Sequence, residues 1–304
     1  MNNCLYDPMQ NILCPLCEHD QTSLVARRRE RGLTITTVGC LDCGLVYHNP
    51  VIEDQDRLEL AVSHRQWHTG DAGFPRQLRK LEKRWNLQWP MIRPVFQPGW
   101  RVLEVGCGLG LVGARLKSLG ARVWAVEPDP EQAAYARDHH GLTVFPGRFE
   151  EAVFEAAPFD LILASHIIEH FPEPLAFLRR ARTCAHPETW LFLETPNVLA
   201  PKVSFRRMFS PAHNFYFAPQ TLSWLLTKAG WQEEKLRVWR RDAFQVLARP
   251  GVPQPPAVDP RVAGQVMRAI ARHRYLYYLK LLFIWRKMPW WQKYWMYQPR
   301  ESGR

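Results

Sequence analysis

Short apolar runs, each bounded by glycine, proline or charged residues, recur through the middle of this chain of 304 residues. They occupy residues 101–105, 121–127, 142–145, 159–164 and 190–194. Apolar runs of this length, with no polar alternation, predict strands that are buried on both faces of a parallel sheet. Two further runs, at 231–240 and 244–249, read as a terminal antiparallel pair. The pattern therefore predicts an α/β fold.

Two segments show the helical period instead. From Pro75 to about Arg93, apolar side chains recur at helical spacing among many basic residues, and Pro98-Gly99 ends the segment before the first strand. A second helix is predicted from Pro219 to Ala229, with its stop at Gly230.

The strand at 101–105 runs directly into a glycine-rich turn, Gly106-Cys-Gly-Leu-Gly110. Glycines at 106, 108 and 110 let the backbone approach a ligand where a Cβ would clash. The next strand ends in Glu127, which is placed to accept hydrogen bonds from a ribose diol. This unit predicts a nucleoside-binding site.

The identity of the nucleoside depends on Glu104. Residues 108–113 also match the dinucleotide fingerprint G-x-G-x-x-G. A dinucleotide would place a pyrophosphate at this turn, where the Glu104 carboxylate would repel it. S-adenosylmethionine has no phosphate and carries a sulfonium and an ammonium group, so an acid is favourable there.

The segment Glu104-Val-Gly-Cys-Gly-Leu-Gly110 resembles the first motif of class I methyltransferases, E/D-x-G-x-G-x-G, at every position. The order of elements from about 98 to 249, half of the chain, resembles their Rossmann-like seven-stranded sheet. The resemblance implies S-adenosyl-L-methionine as cofactor, with Phe149 beside the adenine and His166 near the methionine end. The cofactor-binding residues so predicted are Glu104, Gly106, Cys107, Gly108, Gly110, Glu127, Phe149, Ser165 and His166. A core role for Phe149, and a space-filling role for Cys107, are the alternatives.

The acceptor side is marked by the segment 165–174, which resembles the E-H-x-x-D-P signature of small-molecule methyltransferases, with Glu173 in the Asp position. An Asp/Asn-Pro-Pro-aromatic turn, which grips a flipped base, is not found there. A hydroxyl acceptor needs a base, and we predict His213 for this catalytic role, against the alternative of an ordinary loop histidine.

Two C-x-x-C pairs, Cys14/Cys17 and Cys40/Cys43, have the spacing of a zinc ribbon, with two alternating segments between them that predict a hairpin. Four thiolates leave no open position on zinc, which predicts a structural metal. The alternative of two disulfides in a secreted protein lacks a signal peptide to support it.

The ribbon and the sheet together resemble a broad group of bacterial small-molecule and glycan methyltransferases. Nucleotide-sugar C-methyltransferases have such a ribbon, but also a large carboxy-terminal domain, for which only about 55 residues remain here. Ribosomal-RNA guanine methyltransferases begin with a similar knuckle, but the net charge of +11 is concentrated at the end of the chain.

The last 54 residues hold ten Lys and Arg residues against Asp259 and Glu301, and residues 272–297 contain ten aromatic side chains. Interleaved basic and aromatic residues predict binding to an anionic membrane surface. Packing on the protein body and stacking on RNA are the alternatives. The start of the chain lacks an apolar signal core, so we expect a cytoplasmic protein, peripheral at the inner membrane.

These observations divide the chain into four parts. They are a zinc ribbon (1–50), a linker with the first helix (51–97), the methyltransferase domain (98–249), and a Pro-rich linker with a basic tail (250–304). The expected activity is O-methylation of a sugar-containing or lipid-linked small-molecule acceptor, and nucleic acid is not the expected partner. An RNA base methyltransferase and a non-catalytic cofactor-binding scaffold are the competing hypotheses.

Overall fold

The computed structural model describes residues 11–30, 33–52, 74–239 and 242–287. Cys4 and the tail residues 288–297 lie outside this described part. Eleven strands are present in it: β1 (Thr22–Glu30), β2 (Leu33–Cys40), β3 (Val46–His48), β4 (Arg101–Val105), β5 (Arg122–Glu127), β6 (Thr143–Pro146), β7 (Phe159–Ser165), β8 (Ala185–Pro196), β9 (Phe215–Tyr216), β10 (Trp231–Trp239) and β11 (Ala243–Pro250).

The same residues form seven helices. They are α1 (Phe74–Ile92), α2 (Leu111–Ser118), α3 (Pro130–His140), α4 (Pro174–Thr183), α5 (Phe205–Met208), α6 (Pro219–Lys228) and α7 (Pro260–Lys287). The helix predicted between Pro75 and about Arg93 and the one predicted from Pro219 are therefore both confirmed, each to within one residue at its ends.

Seven strands form the main sheet in the order β10-β11-β8-β7-β4-β5-β6. Strands β4 to β8 are parallel to one another, and β11 runs antiparallel to both β8 and β10. The central strands β4 and β7 are almost wholly buried because helices cover both faces, which explains their continuous apolar runs. This arrangement confirms the predicted Rossmann-like methyltransferase sheet.

A second sheet of four strands, β1-β2-β3-β9, contains the cysteine ribbon. Its fourth strand, β9, is distant from the other three in the sequence: Val46 pairs with Tyr216, and Tyr47 pairs with Phe215. The main apolar core is also continuous across the two sheets, with Leu45 and Tyr47 of the ribbon in one cluster with Phe177 of α4. The ribbon thus shares its apolar core with the main sheet and is not a separate domain.

The Pro-rich segment after β11 lies against the body. Gly251 N–H donates to the Gly230 carbonyl (2.9 Å), and Gln254 N–H donates to the Thr227 carbonyl (3.1 Å). Helix α7 then crosses the ribbon and buries Ala263, Val266 and Ile270.

The far half of α7 has a different character, because its large apolar side chains are exposed. Tyr275 has 64% of its surface accessible, and Leu282 has 58%. No helix in the described part of the chain is both long and apolar enough to cross a bilayer.

Gly44 marks the point where α7 touches the ribbon. Its φ of +78° lies in the left-handed region, and a Cβ added there would stand 2.8 Å from Cα of Ala263. Both the backbone conformation and the contact with α7 therefore require glycine.

We expect Gly44→Ala to lower the free energy of unfolding by about 2–3 kcal/mol, which combines the left-handed conformation with the clash. Gly99→Ala is the matched control, because Gly99 has a φ of +87° but no atom within 4 Å of the added Cβ. The control should cost only about 1 kcal/mol in urea denaturation. An equal decrease in the free energy of unfolding in the two variants would contradict the contact between Gly44 and α7.

Candidate functional site

The turn after β4 is held against the end of β5. Gly106 N–H and Cys107 N–H both donate to the Val126 carbonyl, at 2.8 and 3.1 Å, and Gly110 N–H donates back to the Cys107 carbonyl at 2.9 Å. The turn therefore lies at the carboxyl edge of the parallel strands, where open α/β sheets bind ligands.

Glu104 lies inside this turn with its carboxylate buried. Its Oε2 accepts a hydrogen bond from Gly113 N–H at 2.9 Å, and a Cβ on Gly113 would stand 2.8 Å from that oxygen. Burial raises the pKa of Glu104, and so does the nearby Glu127, whereas the Gly113 amide lowers it. The net result is a pKa of about 8. A buried acid of this kind is stabilised when a cation is bound beside it.

Glu127 ends β5 with both carboxylate oxygens on backbone amides. Its Oε2 accepts from Gly108 N–H at 2.7 Å, and its Oε1 accepts from Asp129 N–H at 2.9 Å. Asp129 in turn caps α3 by accepting from Glu131 N–H and Gln132 N–H. The carboxylate is thus fixed at the mouth of the glycine turn.

Cys107 and Phe149 are both buried, with 8% and 2% of their surfaces exposed. Phe149 packs edge-on against Phe177 of α4, with ring centroids 5.6 Å apart, and the guanidinium of Arg180 lies over its ring. This environment favours the core role for Phe149 over stacking on a purine.

At the end of β7, a buried polar group joins three elements. Ser165 Oγ donates to Glu194 Oε2 at 3.0 Å, and Gln88 Nε2 lies 2.7 Å from Ser165 Oγ and donates to the same Glu194 oxygen at 2.6 Å. Gln88 and Glu194 were not identified from the sequence. For Gln88 a signal existed, because it is a polar residue on the apolar face between Trp85 and Ile92.

The residue after β7 has an unusual backbone. His166 has a φ of +56°, rare for a residue with a Cβ, and its N–H donates to the Glu194 carbonyl at 2.7 Å. Its Nδ1 lies 3.4 Å from Glu169 Oε1. The strained turn therefore directs the imidazole towards a buried carboxylate.

Glu169 is the centre of a group of histidines. Its side chain is 1% exposed, and Oε2 accepts from Thr195 Oγ1 at 3.0 Å. Burial by itself raises the pKa of Glu169, but the contact with His166 and the charges of His170 and His213 lower it to about 2. The Glu169 backbone carbonyl also accepts from Asn214 N–H and Phe215 N–H.

His213 lies in the loop that precedes β9, and its ring meets His170 edge-on with centroids 4.7 Å apart. Burial lowers the pKa of His213 to about 3, as does His170, whereas Glu169 acts in the opposite direction. The loop is held by Tyr216, whose hydroxyl donates to the Ser210 carbonyl at 2.8 Å. His48 of the ribbon lies beside them, with its Nε2 3.1 Å from the Ser210 carbonyl oxygen.

A cavity of about 560 Å³ opens in front of these groups, between α1 and the segment from Pro196 to Tyr216. Its wall includes His166, Glu194 and His213. The structure thus brings His166, directly after β7, and His213, in the 210–217 loop, to one cavity. Ser165 and the residues of the glycine turn are not among the described residues that line it.

The four ribbon cysteines lie close together. Cys14 Sγ is 3.5 Å from Cys43 Sγ, Cys17 Sγ is 3.4 Å from Cys40 Sγ, and all four sulfurs lie within 4.8 Å of one another. None of these cysteines is in a disulfide. Zinc–sulfur bonds of about 2.3 Å in a tetrahedron require sulfurs about 3.8 Å apart, so the cluster fits zinc.

The fold and the glycine turn define a class I methyltransferase sheet, and comparison with known proteins agrees. Residues 67–236, more than half of the chain, match the family model described as a methyltransferase domain. The chain therefore belongs to the methyltransferase-domain family.

Its relatives include a ubiquinone biosynthesis O-methyltransferase of Xanthomonas campestris pv. campestris (strain B100), 33% identical over 143 residues, which are 45% of this chain and 58% of the relative. A second ubiquinone biosynthesis O-methyltransferase, from Xanthomonas axonopodis pv. citri (strain 306), is 31% identical over 192 residues, which are 57% of this chain and 78% of the relative. The chain thus spans little more than half the length of the first of these relatives.

Among solved structures, 1,6-didemethyltoxoflavin-N1-methyltransferase of Burkholderia thailandensis has a similar fold. The TM-score is 0.54 at 17% sequence identity, with 77% of this chain and 100% of that chain covered. That structure was solved with 1,6-didemethyltoxoflavin and S-adenosylhomocysteine bound.

The low pKa of Glu169 yields a stability prediction. Because its folded pKa of about 2 lies below the ordinary 4.5, the ionised carboxylate stabilises the fold above pH 4.5, and this stabilisation is lost as the pH falls towards 2. We expect Glu169→Gln to lower the free energy of unfolding by about 3 kcal/mol at pH 7. In urea denaturation the difference from the wild type should narrow at pH 3.

The exposed Glu173 is the control for this measurement, and Glu173→Gln should change stability by less than about 0.5 kcal/mol at either pH. A Glu169→Gln variant as stable as the wild type at pH 7 would contradict a charged, paired Glu169.

Proposed function

We propose that this protein transfers a methyl group from S-adenosylmethionine to a hydroxyl group of a small-molecule acceptor. One observation carries the proposal: the Glu127 carboxylate is fixed on the amides of the glycine turn, at the same sheet edge as a cavity lined by His166 and His213. Methyl transfer is an in-line displacement, so positioning two reactants at one edge is the main requirement.

In this proposal the cofactor lies across the glycine turn. Glu127 exchanges its amide contacts for the ribose diol, and the backbone of Gly106, Cys107, Gly108 and Gly110 leaves room for the ligand. The acidic Glu104 favours the cationic methionine end, near which Ser165 and His166 lie. When bound, S-adenosylmethionine supplies the electrophilic methyl group. Phe149 contributes from the core behind the site.

His213 is the proposed base for the acceptor hydroxyl. Burial lowers its pKa to about 3, which keeps the imidazole neutral at pH 7, as a base must be, but also weakens it as a base. The ionised Glu169 favours the imidazolium that forms, since it raises the pKa of His213. Glu169 thus acts as a positioning and charge-balancing residue.

The acceptor class follows from the site and from the relatives. A cavity of about 560 Å³ is within the range of about 300–1,000 Å³ that is typical of small-molecule sites. The Xanthomonas relatives are named as O-methyltransferases, which supports oxygen as the acceptor atom. We propose a sugar-containing or lipid-linked acceptor. The geometry of the cavity supports this over an RNA base.

We further propose one structural zinc ion, held by Cys14, Cys17, Cys40 and Cys43. The four-sulfur geometry supports it, and no position is left for a reactant. Through β3, the metal cluster would stabilise the strand that pairs with β9.

The tail is proposed to lie on an anionic membrane surface, with the protein cytoplasmic and peripheral. The exposed Tyr275, Leu276, Tyr278, Leu279 and Leu282 of α7 support this. Aromatic and basic side chains together suit the headgroup boundary. The first half of α7 packs on the body instead, so only its outer part is available.

The cofactor proposal predicts that the protein binds S-adenosylhomocysteine and has negligible affinity for NAD. Glu127→Ala should weaken S-adenosylhomocysteine binding ten-fold or more in calorimetry, because a charge-assisted hydrogen bond contributes about 1.5–3 kcal/mol. The exposed Glu150→Ala is the control and should bind like the wild type. Unchanged affinity in Glu127→Ala, or tight NAD binding, would refute the assignment.

The zinc proposal predicts one zinc ion per chain in elemental analysis of the reduced protein. Cys17→Ser should lose the metal and unfold the ribbon, because such small modules depend on zinc for their folding energy. The main sheet should stay folded and still bind S-adenosylhomocysteine. Cys184→Ser, a buried cysteine outside the cluster, should keep full zinc content. A metal-free wild type would exclude the site.

The membrane proposal predicts co-sedimentation with phosphatidylglycerol vesicles that weakens as salt rises. Truncation after Arg274 should abolish vesicle binding, because each basic residue removed contributes about 1 kcal/mol to the free energy of binding. This cut keeps Ala263, Val266 and Ile270, so the melting temperature should not change. Vesicle binding that survives the truncation, or full-length protein that remains in the supernatant, would refute the proposal.

A further inference from the structure

The cavity is lined by cations from two directions. Lys80, Lys83, Arg84 and Leu87 of α1 all line it, at the spacing of a single helix face. Lys202 and Arg207 line the opposite wall. The helix segment that covers the site therefore presents its basic face to the cavity.

The carboxylates of the cavity wall do not neutralise this charge. Among the described residues that line the cavity, only Glu194 and Asp242 are acidic. Glu194 accepts from Gln88 and Ser165, and Asp242 pairs with Lys202.

Four cations therefore have no ion pair within the described part of the chain: Lys80, Lys83, Arg84 and Arg207. Glu82, also on α1, pairs with Arg115 outside the cavity. Like charges three and four positions apart on a helix repel one another, so an anion bound between them relieves that repulsion.

We infer that the acceptor is an anion that carries a phosphate ester, which Lys80, Lys83, Arg84 and Arg207 bind while the hydroxyl to be methylated faces His213. This inference rests on the proposed methyl transfer and names the substrate class of that site. Four cations exceed the charge of one carboxylate and suit a group with two or more negative charges. Lysine provides point charges, and arginine provides a planar donor fork for phosphate oxygens.

The remaining wall fits the rest of such an acceptor. Leu87, Val198 and Met208 provide apolar surface beside the cations. Proteins that bind single-stranded RNA track the backbone with an extended groove and stacked aromatic rings, whereas this site is a single cavity of about 560 Å³. In the described residues, Tyr216 is the aromatic side chain that lines this cavity, and it is only 6% exposed.

The test is calorimetric binding of inorganic pyrophosphate to the full-length protein saturated with S-adenosylhomocysteine. Lys83→Ala combined with Arg84→Ala should weaken pyrophosphate binding at least ten-fold, and Arg207→Ala should weaken it several-fold. The matched control combines Arg79→Ala with Arg93→Ala, which removes one exposed cation of α1 and one directly after it, neither of which lines the cavity. The control should bind pyrophosphate like the wild type.

Two further ligands separate the sources of the phosphate. Glucose 1-phosphate represents a soluble acceptor, and farnesyl diphosphate represents a lipid-linked one. Tighter binding of either, lost in the Lys83/Arg84 variant, supports the inference and identifies the source.

The inference is overturned if pyrophosphate does not bind, or binds equally to the cavity and control variants. It is also overturned if a 16-residue oligouridylate binds more tightly than pyrophosphate and is weakened equally by both variants. Affinity for S-adenosylhomocysteine, measured on the same samples, separates these outcomes from a failure of the proposed function, in which the wild type would not bind S-adenosylhomocysteine.

Discussion

The arrangement of the candidate site depends on a two-residue backbone pairing between β3 and β9. Val46 and Tyr47 of the ribbon pair with Tyr216 and Phe215, directly after the loop that contains His213. The same loop is also held by the Glu169 carbonyl, which accepts from Asn214 N–H and Phe215 N–H, and by the Tyr216 hydroxyl, which donates to the Ser210 carbonyl. A cysteine ribbon thus sets the position of a proposed base that lies far from it in the sequence.

Polar groups buried at the carboxyl edge of the sheet form the second constraint. Gln88 joins α1 to Ser165 and Glu194, and Glu169 joins the turn after β7 to Thr195 and to the 210–217 loop. Hydrogen bonds between buried polar groups are strengthened by the low local dielectric, and they rigidify a site. The covering helix, two strands and the acceptor loop are therefore held in one arrangement.

The glycine turn and the carboxylate beside it could be predicted from the sequence because their signals are local. A buried run, a glycine turn and a carboxylate at a strand end lie within about 25 residues, from Glu104 to Glu127. The acceptor side could not be predicted in the same way. Strand β9 has two residues and pairs with a partner about 170 positions away, which no periodicity reveals. The burial of Phe149 likewise depends on Phe177, and the role of Gln88 depends on Glu194.

Helix α7 closes over the ribbon at Gly44, and this contact has a consequence for the order in which the molecule assembles. The ribbon is made first by the ribosome, but its fourth strand comes from residues 215–216 and its covering helix from residue 260 onwards. Until those parts emerge, the edge of β3 stays unpaired and Val25 and Val46 stay uncovered. The ribbon therefore reaches its final form only after β9 and α7 have been synthesised. An amino-terminal fragment that ends before residue 215 would expose an open, apolar strand edge.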